Sequence, residues 1–307
     1  MDSSQDFSPE AFLGGAAFID GRFVPIGEAK ISVLDRGLSR SDATYDVTNV
    51  WKGWIFRLDD HLERFERNMA ALRLKAPYAR ERIREILIEC VRLSGLQDSF
   101  LQMTCTRGLT PKGSRDPRTA VNTFYAFAVP FVWIADPEQQ KTGLNLHISS
   151  IERISPKSVD PRTKNFHWID LTLGLFEAYD AGCDLEVLID GAGNITEGPG
   201  FNVFVRKGGR LVTPDAGVFD GMTRRTVIEL CAETNIAVTA EAVPVEAVRG
   251  ADEIFITSTA GGVMPVTRLD GIPVGDGTPG PLTRRLKDLY WSKKEAGWLG
   301  TPVDYGA

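Results

Sequence analysis

Alternating apolar and polar positions open the chain. Between residues 17 and 58, short alternating runs flank Asp20-Gly21 and Lys52-Gly53. Dipeptides ending in glycine supply the positive φ that tight hairpin turns need, so the segment predicts β-hairpins in an antiparallel sheet. The period then lengthens. Leu62, Phe65, Met69 and Leu72, and after them Ile83, Ile86, Leu87, Cys90 and Val91, recur at three-to-four spacing, with Gly95 placed as a C-cap. Both stretches predict helices with one apolar face. Strand-like runs from Phe100 to Thr106 and from Asn122 to Val129 would complete the sheet. The Gly/Pro/Arg-rich segment Gly108 to Arg118 between them reads as a mobile loop.

Residues 136–143 are polar and aperiodic and are the expected interdomain linker, which gives a small α/β domain over 1–135 and a larger one over 144–307. In the second domain, strands at Leu144 to Ile151, Leu185 to Ile189, Asn202 to Val205 and Glu253 to Thr257 alternate with helices near Asp170 to Asp180, Thr223 to Glu233 and Pro281 to Lys293. Closely spaced turn signals such as Asp190-Gly191 and Lys207-Gly208 suggest a folded-over sheet or pseudobarrel rather than long βαβ crossovers. No G-x-G-x-x-G separates a strand from a helix, so a dinucleotide-binding turn is not supported.

Composition narrows the function classes. A length of 307 residues predicts two domains or one large one, and 43% apolar with 25% charged residues is an ordinary folded mix. The net charge of −6, without a basic stripe, argues against nucleic acid as a partner. The most apolar stretch, Phe124 to Ala135, is broken by Pro130 and falls short of the ~20 residues of a membrane span. It reads as a buried strand. The opening Met1-Asp-Ser-Ser-Gln-Asp-Phe has no basic region followed by an apolar one, which makes a cytoplasmic location the default expectation. Cys90, Cys105, Cys183 and Cys231 are scattered and read as buried thiols. With only His61, His147 and His167 in addition, a metal site or a Ser-His-Asp triad has little raw material.

Four features carry candidate chemistry, and each has an ordinary reading beside it. Lys164, among Pro, Arg, Thr and Asn, is either a solvated loop lysine or a Schiff-base lysine. Glu197 in Thr196-Glu-Gly-Pro-Gly200 is either a polar turn residue or a carboxylate that holds a heterocycle's ring nitrogen protonated. Gly221-Met222-Thr223-Arg224 precedes an apolar-periodic stretch, so Thr223 is either an N-cap or part of a helix start that binds phosphate. Arg64 is either a surface or salt-bridged residue or, if buried, a bidentate phosphate ligand.

Taken in order, these segments resemble the fold-type IV pyridoxal-phosphate enzymes, the family of branched-chain aminotransferases, D-amino-acid transaminases and (R)-selective amine transaminases. Arg57-Leu-Asp-Asp-His-Leu-Glu-Arg64-Phe resembles the family's phosphate-arginine motif, and Val159-Asp-Pro-Arg-Thr-Lys164-Asn-Phe-His-Trp168 its catalytic-lysine segment. Glu197 stands in an E-G-x-G turn. Gly221-Met-Thr-Arg and Thr257-Ser-Thr-Ala-Gly-Gly-Val-Met-Pro265 look like the two phosphate-binding turns. Ser41-Asp-Ala-Thr-Tyr45-Asp, Phe56-Arg-Leu-Asp-Asp-His61 and Lys164-Asn-Phe-His-Trp168 most resemble the (R)-amine transaminases, although Arg40 stands where those enzymes often carry histidine and Gln102 near an expected acid.

The resemblance implies a transaminase with pyridoxal 5'-phosphate as cofactor. Lys164 would be the catalytic lysine, Glu197 the partner of the ring nitrogen, and Arg64, Met222, Thr223 and Thr259 the phosphate ligands. Arg40, Tyr45, Phe100, Gln102, Arg115, Trp168 and the Ala260 main chain would form the substrate pocket. The donor would be an amine or amino acid and the acceptor a keto acid, in a homodimer whose pocket is completed by a neighbouring loop. Arg40 and Arg115 are the candidates for reading a carboxylate, each able to offer paired donors. D-amino-acid or branched-chain transamination, an aminodeoxychorismate-lyase-like activity, and cofactor binding without turnover are the alternatives.

Overall fold

Asp20 and Gly21 take φ values of 51° and 79°, and Lys52 and Gly53 of 49° and 79°. Paired left-handed residues match the right-handed twist of the strands they join. They close two hairpins, β1 (Ala16–Ile19) with β2 (Arg22–Pro25), and β3 (Ala43–Trp51) with β4 (Trp54–Phe56). Between the hairpins lies a short helix, α1 (Arg36–Arg40), capped by the Asp35 side chain. This computed structural model describes residues 7–306, so the first six residues, on which the export reading rests, lie outside it.

The chain forms two compact units. The first comprises residues up to Val132, Lys164–Phe166 and Lys294 onward. Its helices are α2 (Leu58–Ala71) and α3 (Arg80–Ser94), the latter ended by Gly95 at φ 68°. Strands β5 (Ser99–Leu109) and β6 (Val121–Pro130) follow. A seven-stranded sheet runs in the order Gly300–Pro302, β4, β3, β5, β6, β1, β2. Phe65, Ile86, Leu87 and Val91 from the helices join Phe18, Ile55 and Leu101 from the sheet in one core, the burial expected from their helical spacing.

The second unit comprises Trp133–Thr163 and His167–Lys293. The linker expected at 136–143 instead carries a helical turn, α4 (Gln139–Thr142), with Gln140 buried and bonded to the Ala135 carbonyl at 2.8 Å. Then come β7 (Leu144–Glu152), α5 (Ile169–Asp180), β8 (Leu185–Ile189), β9 (Glu197–Gly198), β10 (Phe201–Lys207), β11 (Arg210–Thr213), α6 (Met222–Glu233), β12 (Val238–Ala240), α7 (Val245–Arg249), β13 (Glu253–Ser258), β14 (Gly262–Leu269), β15 (Ile272–Pro273) and α8 (Pro281–Glu295). Seven of the nine strands follow the order β12, β11, β10, β13, β14, β7, β8, while β9 pairs with β10 and β15 with β14. Five strands escape the sequence pattern. β9, β11, β12 and β15 are too short to show a period, and β14 contains Pro265, a residue that usually interrupts a strand. All four cysteines are free and buried.

Lys294, near the end of α8, is 2% exposed. Its Nζ donates to Asn49 Oδ1 at 2.7 Å and lies 5.7 Å and 5.1 Å from the ring centroids of Trp51 and Phe56. Burial lowers its ammonium from 10.5 to about 7, against the opposing pull of Asp98. The unfolded chain therefore binds more protons than the folded one between those two values, and stability rises with pH through that window. Denaturant unfolding at pH 7 and pH 9 should show wild type gaining roughly 2 kcal/mol relative to Lys294→Met. Parallel pH curves for the two proteins would refute the assignment.

Candidate active site

In the first unit the site is built on β3. A strand sends successive side chains to opposite faces, and the register Tyr45↔Thr104, Val47↔Gln102 and Asn49↔Phe100 puts Tyr45, Gln102 and Phe100 on one face of the sheet. Along β3, β4 pairs with Val50 and Trp51 alone, which leaves the start of β3 open on that side. There Asn165 bridges Thr44, and Thr44 Oγ1 donates to the Lys164 carbonyl at 2.6 Å. This pins the Lys164 main chain. Lys164 Nζ lies 4.4 Å from the Tyr45 ring centroid, and Phe166 packs on the same ring at 5.0 Å. Lys164 is thus half-buried and seated on an aromatic face, not a solvated loop lysine.

Asp46, one residue on, points to the other face. Arg64 on α2 is 3% exposed and clamps it, Nε to Oδ2 at 2.8 Å and Nη2 to Oδ1 at 2.7 Å. His61 Nδ1 lies 2.8 Å from Asp46 Oδ1. Burial pushes the Asp46 carboxyl up, yet the Arg64 guanidinium and the bonds from Arg64 and His61 hold it well below the usual range. Burial outweighs Asp46 at His61 and pushes that imidazole down, toward its neutral form. Arg64 is therefore buried and salt-bridged to Asp46.

A cleft of about 370 Å³ in the same unit is lined by Val33, Leu34, Arg36, Ser39, Arg40, Thr110, Ser114 and Arg115. Arg40 and Arg115, far apart in sequence, thus meet in one cleft together with Arg36. Arg40 Nη1 donates to the Ser39 carbonyl at 2.6 Å, and Arg36 Nε is buried without a hydrogen-bond partner among the described residues. Among the described residues, none of the three guanidinium groups meets a carboxylate.

In the second unit, Glu197 is 5% exposed. Its Oε1 accepts from Arg153 Nε at 3.2 Å and its Oε2 from the Phe219 main-chain N–H at 2.7 Å. Arg153 Nη1 in turn donates to Asp170 Oδ2 at 2.6 Å. The following glycine is sterically required: a Cβ at Gly198 would sit 2.1 Å from the Phe201 ring and 2.4 Å from the Glu186 carbonyl. Gly200, at φ 82°, turns the chain beneath Trp168, whose ring a Cβ there would meet at 3.7 Å.

Phe219 also ties Glu197 to α6. Its carbonyl accepts from Asn202 Nδ2 at 2.9 Å, and Gly221 then serves as N-cap without a side-chain bond of its own. A Cβ on Gly221 would lie 2.0 Å from Asn202 Oδ1. Thr223 is therefore not the N-cap that one of its two readings made it. It lies inside the first turn, buried. The Ala260 N–H, considered as a ligand donor, is already given to Ser258 Oγ at 3.1 Å, and Ser258 Oγ donates to the Gly200 carbonyl at 2.7 Å. The Thr259-Ala260 turn is thereby fixed to the Glu197 turn.

Sequence reasoning does not reach Arg153, Asp170, the Asp46 clamp on Arg64 or Arg36. For Asp46 there is a signal, an acid inside a strand buried on both faces. Arg153 has none beyond its place just after an apolar strand, since its partner is 44 residues away.

Residues 43–269 match the amino-transferase class IV family, most of the chain. The chain belongs to that family, and is a pyridoxal-phosphate-dependent aminotransferase of mixed α/β fold. Over 285 residues it is 29% identical to the branched-chain-amino-acid aminotransferase of Pseudomonas aeruginosa, covering 90% of this chain and 92% of that one. Over 276 residues it is 28% identical to the D-alanine aminotransferase of Staphylococcus haemolyticus, covering 89% and 95%. Among solved structures, the branched-chain amino acid aminotransferase from Thermobaculum terrenum in its PLP form superposes with a TM-score of 0.84 at 26% identity, covering 94% of this chain and 98% of that one.

The residues present fit this cofactor. The first turn of α6 offers main-chain N–H groups to an anion, and Thr223 stands in that turn. Thr257 Oγ1, across the ladder from Asn202, is buried with no partner among the described residues. Glu197 presents a carboxylate already backed by a guanidinium.

Proposed function

We propose that the enzyme moves an amino group between an (R)-amine and a keto acid, with Lys164 as the catalytic lysine. The observation that carries the site assignment is Lys164 itself: a lysine with its main chain pinned to β3 and its Nζ on the Tyr45 ring. The Ser41-to-Asp46 and Lys164-to-Trp168 segments support the (R)-amine donor. Lys164 Nζ would hold the cofactor, Glu197 its ring nitrogen, and Arg64, the Met222-Thr223 helix start and Thr259 its phosphate. When bound, pyridoxal phosphate supplies the electron sink next to the donor carbon. Lys164 Nζ, a primary amine, both anchors and shuttles a proton on that carbon. Glu197, ionised, keeps a proton on the ring nitrogen. Tyr45, Phe100, Gln102 and Trp168 would wall the donor.

A second reading, a D-amino-acid donor, is favoured by the cleft in which Arg36, Arg40 and Arg115 lie without carboxylate partners. A fixed charge at Arg40 would prefer amino acids over simple amines, whereas an Arg115 that swings in would leave amines as good donors. We also propose a homodimer. Ile169, Leu173, Phe176 and Tyr179 form an exposed apolar stripe along α5, at 75%, 50%, 61% and 54% exposure, and surfaces of this kind mark interfaces.

Mixing the enzyme with D-amino acids, L-branched amino acids and both enantiomers of an aryl-alkyl amine, and following cofactor absorbance, should show bleaching fastest with the (R)-amine. Lys164→Ala should lose the bound-cofactor band and all turnover while keeping its fold, and undiminished turnover would sink the assignment. Arg115→Gln should raise KM for the keto-acid acceptor by about tenfold to a hundredfold, the worth of a charged hydrogen bond, with donor rates little changed. Arg40→Gln should weaken D-amino-acid donors selectively. Wild-type kinetics in both variants would remove the arginines from carboxylate recognition. Sedimentation at assay concentration should give a dimer, and a fully active monomer would contradict it.

A further inference from the structure

We propose that Arg153 and Asp170 form, with Glu197, a buried acid–base–acid triad that fixes where the cofactor's ring proton resides, Arg153 being a positioning residue for Glu197. The inference rests on the Glu197 role given above. The Arg153 side chain is 8% exposed, that of Glu197 6% and that of Asp170 15%. Burial disfavours a carboxylate's charge, and the Phe219 main-chain N–H offsets part of that cost at Glu197. Arg153 Nε, 3.2 Å from Oε1, adds an opposite full charge. The guanidinium is itself buried and is balanced by Asp170, 2.6 Å from Nη1.

Asp170 does not wander. Its Oδ2 accepts the Ile154 N–H at 2.8 Å and its Oδ1 the Leu171 N–H at 2.9 Å. It therefore grips both ends of the segment that carries Arg153 and the start of α5.

The chemistry concerns one proton shared between Glu197 and the ring nitrogen. It sits either on nitrogen, opposite a carboxylate, or on the carboxyl, opposite a neutral ring. Arg153 touches the carboxylate directly, so its charge favours the first arrangement. Replacing it with a neutral group moves the proton toward Glu197, and the ring loses electron-withdrawing power.

The test uses the holoenzyme loaded with pyridoxal phosphate labelled with ¹⁵N in the ring. Wild type should give the ¹⁵N resonance of a protonated ring nitrogen. Arg153→Gln should move it toward the unprotonated position and slow the donor half-reaction about tenfold to a hundredfold, with KM for the donor within about twofold. Arg153→Lys, which keeps the charge, should return most of both. Asp170→Asn, which loosens Arg153 without removing it, should shift the resonance in the same direction by less. An unmoved resonance in Arg153→Gln and Asp170→Asn overturns the proposal, as does Arg153→Lys behaving like Arg153→Gln, because a packing role would not distinguish charge. If Arg153→Gln fails to fold by circular dichroism, Asp170→Asn decides alone. A wild-type protein that takes up no cofactor, or is not bleached by any donor, would instead overturn the transaminase reading, so the two failures are separable.

Discussion

The alternation of side chains along β3 is the constraint from which the first unit's chemistry follows. Thr44, Tyr45 and Asp46 are consecutive, and a pleated strand cannot point neighbours the same way. Thr44 holds the lysine segment at the strand edge, Tyr45 offers its ring to Lys164, and Asp46 turns into the helical layer to clamp Arg64. A one-residue slip in register would exchange these roles, seating the carboxylate under the lysine and the phenol against the arginine. The pairing of β3 with β5 through eight consecutive residues, Ala43↔Thr106 to Val50↔Ser99, prevents that slip.

Buried ionisable groups divide by whether their charge has a partner. Asp46 with Arg64, and Glu197 with Arg153 and Asp170, are desolvated yet paired, and losing one member of such a set strands the other at a cost of about 3–5 kcal/mol. Glu186 is the opposite case. It is fully buried on β8, neither carboxyl oxygen has a partner among the described residues, and burial pushes it up to about 8, so it is carried as a neutral acid at neutral pH. Lys294 lies between, with the Asn49 amide oxygen and the Trp51 and Phe56 rings beside its ammonium.

Much of the scaffold is legible in the sequence because its causes are local. The hairpins at Asp20-Gly21 and Lys52-Gly53 follow from turn residues, and α2 and α3 from a three-to-four period ended by Gly95 at the second helix. The boundary near 136–143 is misread because polarity without period describes a short helix as well as a linker: Gln139–Thr142 is one turn, too short for periodicity to register. At the site, Lys164, Glu197 and Arg64 stand out through their motifs. What holds them does not, since Thr44 reaches Lys164 across 120 residues and Arg153 reaches Glu197 across 44. Contacts of that span are properties of the sheet, and no window of sequence contains them.

Phe219 takes part through its peptide group rather than through its side chain's identity: its N–H faces Glu197 and its carbonyl faces Asn202, three residues before α6 begins at Met222. The spacing between acid and helix start is consequently counted in residues. Substitutions at this position alter the ring it carries, whereas an insertion or deletion between Phe219 and Met222 would change the spacing between the peptide that meets the carboxylate and the start of the helix. Length, at this point in the chain, is the quantity that the geometry fixes, and loop engineering of the enzyme has to leave it alone.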